Sequence, residues 1–277
     1  MAFLPLRPVE LPPATLALYD EWLGRIEDRL ARTDCDRNEL CRDVLTELYH
    51  PQLAGSPTFE PGAGAGIALA QLDPRNVTLE PEYYSDVDAE RFAQVKPLLW
   101  LWEMFDKSSA GENIHLGIRF RRILARHVFR RCGRNFKCFQ FVKFSFGYNM
   151  EVGDDVVVHR HVLLDDRGAI RIGDRTSVAD YANIYSHTHD LADQRLVLTP
   201  VTVLGDGVRV TYHATVLAGT RLEHDSMLGA LGLATRNVPP GMLALGIPAT
   251  PKIAKPPLDE RPSLPRTSDP LADAGPS

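Results

Sequence analysis

The sequence predicts a mainly β fold, a parallel β-helix, preceded by an α-helical region and followed by a disordered tail. Three observations predict it. Aliphatic residues recur every six positions over residues 134–254, whereas residues 1–133 carry the three-to-four-residue spacing of amphipathic helices. Residues 255–277 are rich in proline and almost free of large apolar side chains, which disfavours a packed core there.

The six-residue spacing carries most of the fold prediction. It forms three runs, which are Val152, Val158, Leu164; Ile172, Val178, Ile184; and Leu204, Val210, Val216, Leu222, Leu228, Ala234. Turn sequences such as "VGDD", "IGDR" and "LGDG" often follow. Each repeat then forms one face of a triangular coil, with its aliphatic side chain stacked inside on the coil above. One coil cannot bury that stack alone, so several must pile up. A β-sandwich with coincidental spacing is the alternative, and so many phased positions disfavour it.

The spacing breaks twice, at 165–169 ("DDRGA") and at 186–200 ("SHTHDLADQRLVLTP"). A regular solenoid accommodates extra residues only by looping them out. Functional residues concentrate in loops held by a rigid scaffold. The second break contains His187 and His189, which are therefore expected where a loop leaves a coil.

Four helices are expected in the N-terminal region. The first places Leu16, Tyr19, Leu23 and Ile26 on one face. Asn38 is a candidate N-cap of the second. The third begins at Ser85 or Asp86 and contains Pro97, which is expected to kink or split it. The fourth ends at Gly133. A loop rich in proline and glycine is expected over 51–66.

The aromatic residues of the third helix, Trp100, Trp102 and Phe105, are interpreted as core rather than as a ligand-binding cluster. The four cysteines lack C-x-x-C spacing, which favours reduced packing residues in a cytoplasmic protein over a zinc or redox site; they are Cys35, Cys41, Cys132 and Cys138.

The composition is that of a soluble globular protein, with 44% hydrophobic and 24% charged residues in 277. The net charge of −5 does not favour nucleic acid as a partner. From Asn113 to Met150 there are nine Lys/Arg and no Asp/Glu. We interpret this stretch as a solvated basic helix face; a phosphate-bearing ligand, an anionic membrane surface or an acidic partner is the alternative. Neither a signal peptide nor an apolar run able to span a membrane is predicted.

Residues 204–249 resemble the C-terminal coils of the hexapeptide-repeat acyltransferases, in particular the galactoside, maltose and xenobiotic O-acetyltransferases. The segment "ATRNVPPGMLALGIPATPKI" resembles their closing segment. The resemblance covers 150–254 well, 134–149 loosely and the first 110 residues not at all. It implies a left-handed β-helix, a homotrimer with active sites between neighbouring subunits, and acetyl-CoA as co-substrate without a metal.

The resemblance also implies a set of site residues. It places the catalytic histidine at His189, just before Asp190, whereas His187 falls at a position that varies in the family. We predict that His187 and Asp190 position His189 for catalysis. An acceptor-binding group is implied at Asp165, Asp166 and Tyr185. Contacts to acetyl-CoA are implied at Tyr212, Ala230, Thr235, Arg236 and Lys252.

The chemistry of acyl transfer agrees with a histidine in this loop. A hydroxyl is too weak an acid to ionise alone, so a base must remove its proton as it attacks the thioester. Histidine, with an ordinary pKa of about 6.5, is mostly neutral at pH 7 and can act as that base. The sequence therefore predicts a CoA-dependent O-acyltransferase acting on a hydroxyl of a saccharide or other small polar acceptor.

Two other functions remain open at this point. A β-helix metalloenzyme of the carbonic-anhydrase type would draw its ligands from the histidines of the coils, His159, His161, His187, His189 and His213. The ligand spacing of those enzymes is not found here. A non-catalytic scaffold is the second alternative, because solenoids also bind partners on a flat face.

Overall fold

The computed structural model describes residues 10–53, 66–257 and 260. Of the loop predicted over 51–66, residues 54–65 lie outside the described residues. The tail predicted to be disordered also lies outside them, apart from 255–257 and 260. The predicted parallel β-helix behind an α-helical region is confirmed, with about six turns.

The N-terminal region contains six α-helices within the described residues: α1 (Pro13–Ala31), α2 (Arg37–Tyr49), α3 (Gly66–Ala70), α4 (Ala89–Asp106), α5 (Ser109–Glu112) and α6 (Ile114–Val128). Short 3-10 turns lie at Pro51–Leu53, Pro74–Asn76 and Glu80–Tyr83. Trp102 and Phe105 are fully buried in the core, as expected for that cluster.

The helix ends differ from the prediction where capping chemistry decides them. Asp36, not Asn38, caps α2, because its side chain accepts the Asn38 and Glu39 backbone N–H groups. Asp88 caps α4, which continues through Pro97 as one helix. The last helix, α6, ends at Val128 rather than at Gly133, since the chain pairs from Arg131 as a strand of the first coil.

The β-helix consists of three parallel sheets that form the faces of a prism. The first contains β1 (Arg131–Cys132), β4 (Met150–Val152), β7 (Ala169–Ile172), β12 (Val201–Leu204) and β15 (Arg221–Leu222). The second contains β2 (Lys137–Cys138), β5 (Val157–Val158), β8 (Ser177–Val178), β13 (Arg209–Val210), β16 (Met227–Leu228), β18 (Met242–Leu245) and the antiparallel β19 (Thr250–Ala254). The third contains β3 (Lys143–Phe144), β6 (Leu163–Asp165), β9 (Asn183–Tyr185), β14 (Thr215–Val216) and β17 (Leu233–Ala234). A hairpin of β10 (Thr188–His189) and β11 (Val197–Leu198) projects between β9 and β12.

The residues of the six-residue repeat form the interior of the prism. Val152 pairs in register with Ile172, and Leu204 with Leu222; all four are at most 3% exposed. The repeat also extends one coil earlier than the aliphatic residues indicated, through Cys132, Cys138 and Phe144, which pair with the next coil in register. The cysteine thiols are unpaired, and burial raises the pKa of Cys138 well above its ordinary value, as expected for a packing residue.

The helical region covers the open edge of the first coil. An uncovered sheet edge exposes unpaired backbone groups. Here Arg122 Nε donates to the Phe136 carbonyl at 2.7 Å, and Arg121 Nη1 donates to the Cys138 carbonyl at 3.3 Å. The Asp106 carboxylate accepts the Phe141 backbone N–H at 2.6 Å and pairs with Arg121 at 2.7 Å. Side chains of the helical region thus bond backbone groups of the first coil that a preceding strand would otherwise bond.

Part of the basic stretch 113–150 is neutralised by the same packing. Arg119 pairs with Asp20 at 2.5 Å and Arg126 with Glu27 at 2.7 Å, both acids lying on α1. These ion pairs support the interpretation of a basic helix face that covers the core. None of the described helices is both long and apolar enough to cross a membrane.

Candidate active site

The breaks in the repeat lie above one another at one edge of the prism. The two predicted breaks follow β6 and β9, and a third interruption, between Phe144 and Val152, follows β3; these are neighbouring strands of the third sheet. Asp165 pairs in register with Tyr185, and both the backbone N–H and the hydroxyl of Ser186 donate to the Asp165 carbonyl, at 3.0 and 2.6 Å. The acidic pair of the first predicted break is therefore directly beneath the start of the histidine loop.

His189 is oriented by the backbone of its own hairpin. Its Nδ1 lies 2.6 Å from the carbonyl oxygen of Gln194. Because a carbonyl oxygen only accepts, Nδ1 carries the proton in the neutral ring, and Nε2 keeps its lone pair. This is the tautomer that a general base requires at Nε2.

Asp190, predicted to position His189, is hydrogen-bonded to the turn of its own hairpin. Its Oδ1 accepts the backbone N–H groups of Ala192 at 2.8 Å and Asp193 at 3.0 Å. These hydrogen bonds lower the pKa of Asp190. Asp190 therefore forms the turn of the hairpin, and the Gln194 carbonyl is the group in contact with the His189 ring.

His187 is held by a buried carboxylate. Its Nδ1 contacts Oδ2 of Asp165, whose side chain is only 4% exposed, while Asp165 Oδ1 accepts a hydrogen bond from Ser145 Oγ at 2.6 Å. The His187 and His189 rings stand edge to face with centroids 5.8 Å apart. The two imidazoles are therefore in contact, and their Nδ1 atoms have different partners: the Asp165 carboxylate for His187 and the Gln194 carbonyl for His189.

Asp166, predicted on the acceptor side, does not line the cleft formed by the two histidines and Asp165. It is fully buried and accepts the backbone N–H groups of Phe146 at 2.8 Å and Asn149 at 3.1 Å. Burial raises its pKa from 3.8 to about 6, against the opposing effect of the backbone hydrogen bonds. Its role in the structure is to hold the loop that connects the first coil to the second.

The two histidines line a cleft of about 570 Å³, together with Asp165 and Tyr185. The opposite wall comes from the helical region and includes Glu80, Tyr83, Tyr84 and Ser85. Arg167 connects the two walls: its guanidinium lies over the Tyr84 ring at 4.2 Å and pairs with Asp86 at 2.8 Å. Burial opposes ionisation of Asp86, but the hydrogen bonds from Arg167 help to lower its pKa.

Sequence reasoning missed Ser145, Arg167 and the wall from the helical region. Arg167 follows the acidic pair inside the first predicted break, so its position gave a usable signal. Glu80 and Tyr84 belong to a stretch without a repeat or motif, and only the packing of that stretch on the β-helix brings them to the cleft.

No family model matches the chain. Among curated proteins, the galactoside O-acetyltransferase of Escherichia coli (strain K12) is 24% identical over 133 residues. This match spans 46% of the chain and 65% of that enzyme, slightly less than two thirds of its length.

Solved structures of acetyltransferases are similar to this chain in fold. A maltose O-acetyltransferase from Clostridium difficile 630 superposes with a TM-score of 0.54 at 21% identity, over 63% of this chain and 92% of that one. A hexapeptide-repeat acetyltransferase from Vibrio cholerae O1 biovar eltor, complexed with acetyl coenzyme A, gives 0.53 at 20% identity, over 67% and 100%. A galactoside acetyltransferase in complex with coenzyme A gives 0.56 at 18% identity, over 66% and 90%. The chain resembles the hexapeptide-repeat acetyltransferases in sequence and fold.

The residues that the resemblance implied for acetyl-CoA lie away from the cleft in the single chain. Tyr212 is 59% exposed, and the others, Ala230, Thr235, Arg236 and Lys252, are also exposed on the later coils. None of the five lines the cleft. Among the described residues, no group of three or more His, Cys, Asp or Glu side chains is placed to hold a metal ion.

Proposed function

We propose that the protein is a CoA-dependent O-acyltransferase that moves an acetyl group from acetyl-CoA to a hydroxyl of a saccharide or another small polar acceptor. The observation that carries the proposal is the His189 ring, whose Nδ1 is bound to the Gln194 carbonyl and whose Nε2 is left with a lone pair. It stands in a cleft that also contains the His187–Asp165 pair.

In the proposed reaction, His189 Nε2 removes the proton of the acceptor hydroxyl as its oxygen attacks the thioester carbonyl. The C–O bond forms, and the tetrahedral intermediate collapses with cleavage of the C–S bond. The departing CoA sulfur takes the proton back from the imidazolium, so the enzyme is unchanged at the end. Backbone N–H groups are the expected stabilisers of the oxyanion.

His187 and Asp165 are assigned to the acceptor side, together with Tyr185. A buried carboxylate fixes the His187 ring, which can then bind a substrate hydroxyl without losing freedom on binding. Tyr212, Ala230, Thr235, Arg236 and Lys252 are assigned to acetyl-CoA, with Lys252 as a point charge for a phosphate.

A homotrimer with sites between neighbouring subunits is part of the proposal. Its support is the separation of the two residue groups: in one chain the donor-side residues do not line the cleft. If a neighbour supplies them, the thioester can reach His189. A cytoplasmic location agrees with the four unpaired cysteines.

Calorimetric titration of acetyl-CoA into the purified protein tests the proposal, with desulfo-CoA and free adenosine diphosphate as comparison ligands. We expect about one acetyl-CoA per subunit, tighter binding than adenosine diphosphate, and thiol release when an acceptor is present. Absence of binding at millimolar acetyl-CoA would contradict the proposal. Stoichiometric zinc, cobalt or iron in the purified protein would instead favour a metalloenzyme.

A further inference from the structure

A second cavity adjoins the cleft. It has a volume of about 350 Å³ and lies between the 3-10 turn Glu80–Tyr83, helix α4 and strand β3. Four residues line both spaces: Glu80, Tyr84, Ser145 and Leu163. The second cavity, called the apolar chamber below, therefore continues from the cleft towards the first coil and the helical region.

The walls of the chamber are mainly hydrocarbon and aromatic, with Leu79, Pro81, Leu99, Trp102, Val142 and Phe144 among them. Three charged residues also line it, and each has a partner: Lys143 and Glu103 form an ion pair with each other, and Glu80 accepts a hydrogen bond from the Tyr84 hydroxyl. Trp102 is 1% exposed and stands edge to face against Phe144 at 5.2 Å. The chamber therefore has a rigid aromatic wall and offers little for a charged or strongly hydrated group.

We propose that the apolar chamber binds a phenyl-sized apolar group carried by the acceptor, so that the acceptor is amphipathic. This inference rests on the proposed function. A dry cavity of about 150 Å³ lined by apolar side chains is enough to hold benzene, so a chamber of 350 Å³ has room for a ring and its linkage. The polar end of the same molecule then lies among Asp165, His187 and His189 in the cleft.

The position of the chamber favours the acceptor over the acyl chain of the donor as its occupant. Helix α4 and the first coil form the chamber, whereas the residues assigned to acetyl-CoA lie on the fourth and later coils. The histidine loop leaves the third coil between these two groups. A donor that arrives along the later coils and an acceptor that extends towards the first coil can meet at His189 without sharing space.

The test compares methyl and phenyl glycosides of glucose, galactose and mannose by calorimetric titration without a donor. For at least one of these sugars, we expect the phenyl glycoside to bind about ten-fold or more tightly than the methyl glycoside, because the ring leaves water. Leu79 is half-buried, and its replacement by Trp fills the chamber. The Leu79 backbone N–H donates to the Glu82 carboxylate, and this hydrogen bond does not depend on the side chain at position 79. In this variant we expect the difference to fall to within about two-fold.

The matched control is Leu18→Trp, which adds the same ring at a position on α1 that is 62% exposed and lines neither cavity. It should keep the preference for the phenyl glycoside. The inference is overturned if none of the three sugars shows the preference, or if Leu79→Trp and Leu18→Trp behave alike.

Two further measurements separate this inference from the proposed function. Acetyl-CoA binding should be unchanged in Leu79→Trp. If phenyl glycosides bind in a Leu79-dependent way but acetyl-CoA does not bind at all, the chamber stands and the acyltransferase proposal fails. If Leu79→Trp instead weakens binding of hexanoyl-CoA more than of acetyl-CoA, the chamber holds the acyl chain and the inference is wrong.

Discussion

The imidazole of His187 contacts the buried carboxylate of Asp165, which lies one coil below in register with Tyr185. The neighbouring His189 has no carboxylate at its Nδ1 and contacts the Gln194 carbonyl instead. A charged acceptor such as a buried carboxylate holds a ring more firmly than a backbone carbonyl does, whereas the carbonyl fixes the tautomer of the ring. The two rings therefore suit different tasks: His187 suits binding and orientation, and His189 suits proton removal.

Replacement of His189 tests the assignment of the base. We expect His189→Ala to lower kcat by a factor of about 10²–10⁴, the usual contribution of a positioned general base. Acetyl-CoA affinity and oligomeric state should stay close to those of the wild type, because the side chain lies on an exposed hairpin. Steady-state kinetics with calorimetry and light scattering would measure these effects.

His187→Ala is the matched comparison for that experiment. It should raise the KM of the acceptor more than it lowers kcat, since the proposed role is binding and orientation. If His187→Ala lost as much turnover as His189→Ala is expected to lose, while His189→Ala kept most of its rate, the general base would be His187.

The contact between Asp165 and His187 predicts strongly non-additive effects. Asp165→Ala and His187→Ala each remove the same interaction, so the double variant should be little worse than the worse single variant. Groups in direct contact give coupling energies of about 0.5–3 kcal/mol. A double-mutant cycle on kcat/KM measures this coupling; simple additivity would show that the two side chains act separately.

Much of the fold could be predicted from the sequence because the inward position of each coil recurs with a fixed period. Leu204, Val210 and Val216 show that period directly, and each is at most 1% exposed. The first coil was missed because Cys132 and Phe144 occupy the same positions without being aliphatic. The six-residue spacing is present in that coil, but its inward residues are cysteine and phenylalanine, so a search for aliphatic residues does not detect it.

The site was harder to predict, because residue type does not reveal which partners a carboxylate already has. Asp165, Asp166 and Asp190 look alike in sequence. Of these three, only Asp165 contacts a histidine. The carboxylates of Asp166 and Asp190 accept hydrogen bonds from backbone N–H groups instead. The wall formed by Glu80 and Tyr84 depends on packing between distant segments, which no periodicity encodes.

The buried pair of Arg121 and Asp106 predicts a large loss of stability on substitution. Arg121→Met leaves the carboxylate of Asp106, which is 2% exposed, without its charged partner, and it leaves the Cys138 and Gly111 carbonyls without a donor. Removal of one partner of a buried ion pair typically destabilises a protein by about 3–5 kcal/mol. Arg119→Met is the control: its partner Asp20 is 61% exposed, and such pairs contribute about 0–1 kcal/mol. Urea unfolding of both variants measures the difference.

Asp166 predicts a pH dependence of stability. Because burial raises its pKa from 3.8 to about 6, the folded state binds its proton more tightly than the unfolded state does. The stabilisation is therefore fully present below about pH 4 and is lost as the pH rises through about 6. The pKa of Asp166 differs by about two between the folded and unfolded states. At about 1.4 kcal/mol for each pKa unit, the stabilisation amounts to roughly 3 kcal/mol.

Urea unfolding of the wild type and Asp166→Asn at about pH 4.5 and pH 7 checks this expectation. The free energy of unfolding of the wild type, relative to the variant, should be larger at the lower pH. A carbon-13 NMR titration of the wild-type carboxyl gives an independent readout if the variant does not fold. A carboxyl that titrates near its ordinary value would contradict the prediction.

Gly168 lies where the two loops of the site meet, and its replacement should disturb both. A Cβ at this position would meet the carbonyl oxygens of Ser186, Pro200 (2.8 Å) and Thr199 (2.9 Å), which are backbone atoms at the two ends of the histidine loop. Gly168→Ala must therefore displace the loop that carries His187 and His189. We expect a loss of about 1–3 kcal/mol in stability from overpacking, and a fall in kcat of about ten- to hundred-fold from displaced catalytic groups.

Gly24→Ala is the control for Gly168→Ala. A Cβ there meets nothing within 4 Å, and the residue lies inside α1, so alanine should stabilise the protein by about 0.5–1 kcal/mol and leave kcat unchanged. Thermal unfolding and steady-state kinetics on the two variants give both quantities. Wild-type turnover in Gly168→Ala would mean that the loop adapts to the extra methyl group, and that the backbone contact at Gly168 does not set the position of the histidines.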